Sequence, residues 1–197
     1  MLLQAADYVG VFVFAVSGAL VAREKQMDIF GYVVLALMPA IAGGTIRDLV
    51  LDVPVFWISD SWPLYLAGSA ALLTFVAERL VSKSGVLLKW LDALGLSVFC
   101  VIGAAKTLAV TGSPSAAVVL GVVTAVAGGI IRDVIANNVP LILQREIYAT
   151  AAVFGALSYL VLEHYGVAFS QWWAIGVALL VRTIGLTTQL NLPGARR

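Results

Sequence analysis

The sequence predicts an all-α integral membrane protein of seven transmembrane helices, built as two inverted three-helix repeats followed by a seventh helix. Three observations carry this expectation. Of 197 residues, 61% are hydrophobic and only 12% are charged, with a mean hydropathy of +1.01, whereas a soluble domain has about 25% charged residues. A short motif occurs twice, as Gly43-Gly44-Thr45-Ile46-Arg47-Asp48 and Gly128-Gly129-Ile130-Ile131-Arg132-Asp133, 85 residues apart. Basic residues gather in alternate connections, which orients the chain.

Seven apolar segments can be marked in order, at 8–22, 30–51, 62–81, 91–110, 115–136, 147–162 and 172–190. Crossing the hydrocarbon takes roughly 20 helical residues, so the chain has room for about seven spans and little for an extramembrane domain. Apolar residues recur on every side of these runs, as in helices buried all round in lipid and protein.

The register of the doubled motif extends in both directions. Asp7 matches Asp92, Gly10 matches Gly95, Phe14 matches Phe99, Gly18 matches Gly103, and Glu78 matches Glu163. Residues 1–84 and 85–168 therefore form one unit written twice, and 169–197 are the seventh helix and tail. Three helices per unit force the second copy to enter from the opposite face. Inverted pairs of this kind put a transport site at the repeat interface.

Arg23, Lys25, Lys83, Lys89, Arg145, Arg196 and Arg197 fall in the first, third and fifth connections or the tail, and Arg79 lies at the end of the third segment on the same face. The other connections and the N-terminus carry none, which sets the C-terminus in the cytoplasm and the N-terminus outside. Gln4 and Asp7 precede the first apolar run and the positive charges follow it, unlike a cleavable signal peptide. Four basic residues remain inside segments: Arg47, Lys106, Arg132 and Arg182.

Each glycine pair comes about 13 residues into its segment, roughly 20 Å along at 1.5 Å per residue. Two readings compete for Gly43, Gly44, Gly128 and Gly129. They weaken the helix into a kink that lines a cavity, helped by Pro39, or they allow close helix contact. Arg47 and Arg132 need counter-charges at this depth, and Asp48 and Asp133 are the obvious ones. Because sequence neighbours project about 100° apart on a helix, pairing across the repeats is expected, Arg47 with Asp133 and Arg132 with Asp48. The pairs either gate a wet path or lock the repeats together.

Lys106 has Val21 as its counterpart and either snorkels outward or shares the cavity of the arginines. Arg182 is expected to be paired or at a subunit contact. Asp7 and Asp92 fit N-terminal caps of the first helix in each repeat. Gly10, Gly18, Gly95 and Gly103 give segments 1 and 4 a small-residue face. Trp57, Trp62, Trp90, Trp172 and Trp173 suit an aromatic belt. Cys100 is a packing residue, and His164 has no companions that would make a metal or acid–base centre. No metal, cofactor or nucleic-acid partner is expected, because ligand clusters are lacking and the charges are scattered.

The doubled GG-x-x-RD motif, the three-plus-three helices and the seventh at the end resemble the prokaryotic trimeric intracellular cation channel (TRIC) family over nearly the whole chain. The resemblance implies a homotrimer in which each subunit has an hourglass pore, walled by helices 2 and 5 with helices 1 and 4. It implies conduction of monovalent cations, chiefly potassium with sodium as a second ion, in the inner membrane of a prokaryote among membrane lipids. By motif match, Gly43, Gly44, Gly128 and Gly129 become the kink positions. Arg47 and Arg132 then stand near the constriction, with Asp48, Asp133 and Lys106 as further pore or gate residues. Buried positive charge would repel cations, and this keeps a second reading open, a small amino-acid carrier of glycine type, since fixed arginines suit a carboxylate. An enzyme is not expected, for want of a nucleophile, metal cluster or paired carboxylates.

Overall fold

The computed structural model describes residues 2–77, 84–144 and 147–188. Among these residues it forms eight α-helices: α1 (Leu2–Glu24), α2 (Ile29–Val50), α3 (Phe56–Ser59), α4 (Trp62–Val76), α5 (Ser84–Thr111), α6 (Pro114–Ile135), α7 (Ala149–His164) and α8 (Ser170–Thr188). A 3-10 turn covers Leu141–Leu143. Four helices are long and apolar enough to cross a membrane, Gln4–Glu24, Ile29–Val50, Gly85–Thr111 and Pro114–Ile135. The 15 residues of α4 and 16 of α7 reach about 23 Å at 1.5 Å per residue, short of a hydrocarbon core of about 30 Å. The expected end of the third segment at 81, and Glu78, Arg79, Lys83, Arg145, Leu190, Arg196 and Arg197, lie outside the described residues.

The sequence cuts α2 and α6 to the same 22 residues by the same devices. Asp28 caps α2 by accepting the Gly31 amide at 2.8 Å, and Ser113, 85 residues on, caps α6 by accepting the Ala116 amide at 3.3 Å. Both side chains satisfy an amide that the first turn leaves unpaired. Beyond the other ends, Asp52 and Asn137 take left-handed backbone at φ 52° and 53°, a conformation these two residue types tolerate. The repeat thus extends to starts and stops.

Packing follows the small residues. A side chain at Gly10 would press on the Phe99 ring and one at Gly95 on the Phe14 ring, so α1 and α5 cross with these two rings stacked, centroids 5.4 Å apart. The α2–α6 crossing is closer still. A Cβ at Gly43 would overlap the Thr124 carbonyl, and one at Gly128 the Pro39 carbonyl. Both helices remain continuous through their glycine pairs, with Gly43 and Gly128 as contact points between backbones and Gly44 and Gly129 facing the Phe56 ring and the Tyr148 hydroxyl. Finally, α8 packs on α5 and α7.

Two expected helix starts are corrected. Asp7 and Asp92 are not N-terminal caps, because α1 begins at Leu2 and α5 at Ser84. Good helix formers upstream, Gln4, Ala5 and Ala6 in one case and Leu87 and Leu88 in the other, carry each helix through its aspartate. The two carboxylates therefore project from inside their helices towards the charged groups of α2 and α6.

Candidate functional site

Arg47 and Arg132 stand in the last turns of α2 and α6, where a cation complements the negative end of the helix dipole. Each folds back on the residue that follows it. Arg47 Nε donates to Asp48 Oδ1 at 2.7 Å, and Arg132 Nε donates to Asp133 Oδ1 at 2.8 Å. The expected cross-repeat pairing, Arg47 with Asp133 and Arg132 with Asp48, is corrected. A guanidinium on three flexible carbons turns through the angle between neighbours, so local pairing needs no approach of the two motifs.

The aspartates point their second oxygens forward along the chain. Asp48 Oδ2 accepts the Phe56 amide at 2.9 Å, and Asp133 Oδ2 accepts the Leu141 amide at 3.2 Å. Each carboxylate joins its helix end to the connection eight residues later. That spacing recurs in the 85-residue register and was a usable signal.

Beyond these shared bonds the halves differ. In the second, Arg132 Nη1 donates to Asp92 Oδ1 at 2.9 Å and to Ser17 Oγ at 3.1 Å. Arg132 and Asp92 are fully buried, and the hydroxyl of Tyr148 closes over Gly129 beside them. Tyr148 lies under the Arg182 guanidinium, 4.9 Å from ring centroid to Cζ. Arg182 Nη1 donates to the Ile147 carbonyl at 2.8 Å. Arg182 is thus paired inside the subunit, holding α8 against the start of α7.

In the first half, Lys106 of α5 brings Nζ to 2.8 Å from Asp48 Oδ1, the oxygen already bound by Arg47. Lys106 is 32% exposed and faces a cavity of about 390 Å³ lined by Gln4, Asp7, Arg47, Phe56, Ile102, Ala105, Lys106, Ala109 and Tyr159. Of the two readings open for Lys106, the structure takes the one that puts it with an arginine at a cavity. Of the five candidate pore residues, Arg47 and Lys106 line this space and Asp48 holds both. Arg132 and Asp133 are enclosed and do not border it.

Sequence reasoning missed Ser17 and Tyr148. Their counterparts, Ile102 and Pro63, share neither polarity nor size, so the repeat gives no signal for them. Trp57, expected in an aromatic belt, is half-buried and donates its indole N–H to Thr45 Oγ1 at 2.9 Å. Near the cavity, Asp60 accepts hydrogen bonds from the Tyr8 hydroxyl and, at 3.1 Å, from the Trp62 amide. These donors hold its carboxyl below the usual range. His164 stacks edge-on against Tyr165 in a separate, largely apolar groove of about 500 Å³.

This arrangement can be set beside known proteins. A family model described as glycine transporter matches the chain twice, at residues 4–79 and 89–164, a shift of 85 residues. The inner membrane protein YadS of Escherichia coli (strain K12), of the UPF0126 group, is 43% identical over 98% of this chain and 96% of its own length. A UPF0126 membrane protein of Vibrio cholerae is 41% identical over 98% of this chain and 82% of its own. The trimeric intracellular cation channel orthologue of Rhodobacter sphaeroides superposes with a TM-score of 0.92 at 40% identity, covering 96% of this chain and 99% of that one. A prokaryotic TRIC channel solved in KCl gives a TM-score of 0.91 at 29% identity, covering 98% and 99%.

The chain belongs to this TRIC-like family. As a family member it is an all-helical membrane protein. The double match of the TRIC-like family model has the same 85-residue shift as the motifs, the helix caps and the aspartate-to-amide bonds.

Proposed function

We propose that the chain is a monovalent cation channel, conducting chiefly potassium, with sodium as a second ion, through a pore in each subunit of a homotrimer. The observation that carries this reading is the cavity of about 390 Å³ between α1, α2, α5 and α7, bordered by the Arg47–Asp48–Lys106 cluster. It occurs in a chain that superposes on TRIC cation channels over almost its whole length. On this reading Arg47 and Lys106 form the gate and Asp48 fixes them. Arg132 and Asp133 are the matching, closed pair, against which the first half moves. Pro39, Gly43, Gly44, Gly128 and Gly129 are the points about which α2 and α6 bend and slide.

The same reading takes α4, α7 and α8 as spans beside the four long helices, giving seven, with the second three-helix unit inverted. The reciprocal contacts of Gly43 on Thr124 and Gly128 on Pro39 are those that a two-fold axis between α2 and α6 would produce. The membrane is the inner membrane of a prokaryote, with the N-terminus outside and the C-terminus in the cytoplasm.

A second reading, a carrier for a small amino acid such as glycine, is favoured by the family model's description. A cavity that holds both cations and a free carboxylate also suits a zwitterion. Purified protein in a planar bilayer separates the two. Step-like potassium currents support the channel, and saturable glycine uptake into liposomes without unitary currents supports the carrier and defeats the first reading.

A further inference from the structure

The two halves use equivalent aspartates differently. Asp92 spends its charge on Arg132 at 2.9 Å, in a fully buried pair. Asp7, its counterpart, makes no ion pair or side-chain hydrogen bond among the described residues and lines the cavity with Arg47 and Lys106. Lys106 binds the same oxygen of Asp48 as Arg47 does, and Asp7 on α1 lines the cavity beside them without a direct partner among the described residues. Its other cavity neighbours are Gln4 on its own helix and Tyr159 on α7, both hydrogen-bonding groups without charge.

We infer that Asp7 is the residue that makes this cavity selective for cations, an assignment that rests on the channel reading above. Arg47 and Lys106 contribute two positive charges at the cavity, and Asp48 cancels one. Without Asp7 the cluster is net positive and excludes a cation. With Asp7 the four charges balance, and the one carboxylate among them without a direct partner lines the cavity. Asp60, a further acidic group on this side, is engaged by Tyr8 and Trp62. In a low-dielectric cleft the sign of the unmatched charge decides which ion accumulates.

The test uses the full chain in planar bilayers under a tenfold KCl gradient, reading the reversal potential. Wild type should be cation-selective, Asp7→Glu should match it, and Asp7→Asn should lower the potassium-to-chloride permeability ratio by tenfold or more. The double variant Asp7→Asn with Lys106→Gln should recover only part of the ratio, because it removes the excess positive charge without returning a carboxylate to the cavity. Asp7→Cys gives a readout within one folded protein, since the native Cys100 is fully buried and a methanethiosulfonate reagent meets only the new thiol. A sulfonate-bearing reagent should restore cation selectivity, and a trimethylammonium reagent should reverse it. An unchanged permeability ratio in Asp7→Asn, or labels of opposite charge with the same effect, overturns the assignment while leaving the channel reading intact. A wild type without cation-selective current overturns the channel reading and the assignment with it.

Discussion

Lys106 Nζ sits 2.8 Å from Asp48 Oδ1, although Val21, at the equivalent place in the first repeat, is fully buried in the apolar core. One substitution in an otherwise repeated frame has put a second cation on one Arg-Asp pair, whereas the third charged group on the other is the Asp92 carboxylate. The pair with the lysine borders the cavity, and the pair without it is closed.

Lys106→Met should leave the fold almost unchanged and alter permeation. The Lys106 side chain is about one-third exposed, and Arg47 and the Phe56 amide still hold Asp48, so the stability change should be about 1 kcal/mol. Single-channel conductance or open probability should rise at least twofold. An inert variant would make the lysine a structural tie.

The equivalent aspartates should respond unequally to truncation. Asp92→Ala removes the partner that Arg132 Nη1 meets at 2.9 Å inside a fully buried pair, a loss that typically costs about 3–5 kcal/mol. Asp7→Ala breaks no direct pair and should cost under about 1 kcal/mol. Thermal melts of the two variants in detergent, side by side, measure the contrast.

At the α2–α6 crossing, Gly128→Ala should be strongly unfavourable. Its Cβ would run into the Pro39 carbonyl, and overpacking of this kind costs roughly 1–3 kcal/mol, more where the obstacle is backbone. Gly68→Ala in α4 is the control, because a Cβ there meets nothing within 4 Å and should shift stability by about 1 kcal/mol or less. Equal melting temperatures for the two would show that α2 and α6 do not touch as described.

Arg182→Met should loosen the start of α7. It removes the 2.8 Å bond to the Ile147 carbonyl and the cation over the Tyr148 ring, together worth about 2–3 kcal/mol. Amides in the first turns of α7 should exchange with deuterium faster in the variant than in wild type, with α2 unaffected. Protection unchanged around Tyr148 would rule out this anchoring role.

Composition alone determined that this is a helical membrane protein, because 61% hydrophobic residues leave too little polar surface for a soluble chain. The 85-residue register also carries equivalent helix ends, since residues of like capping and turn-forming type at matching positions, Asp28 and Ser113, Asp52 and Asn137, start and stop α2 and α6 at the same length. Tertiary structure decided the charges. Whether Arg47 meets Asp48 or Asp133 depends on where two helix ends come to rest, and a periodic pattern carries no such distance. That Arg132 is sealed by Ser17 and Tyr148 while Arg47 opens on a cavity turns on Ile102 and Pro63 at the matching positions. Those differences acquire meaning only when α1, α5 and α7 are packed around each arginine, because burial belongs to the assembled neighbourhood of a side chain and not to the residue itself.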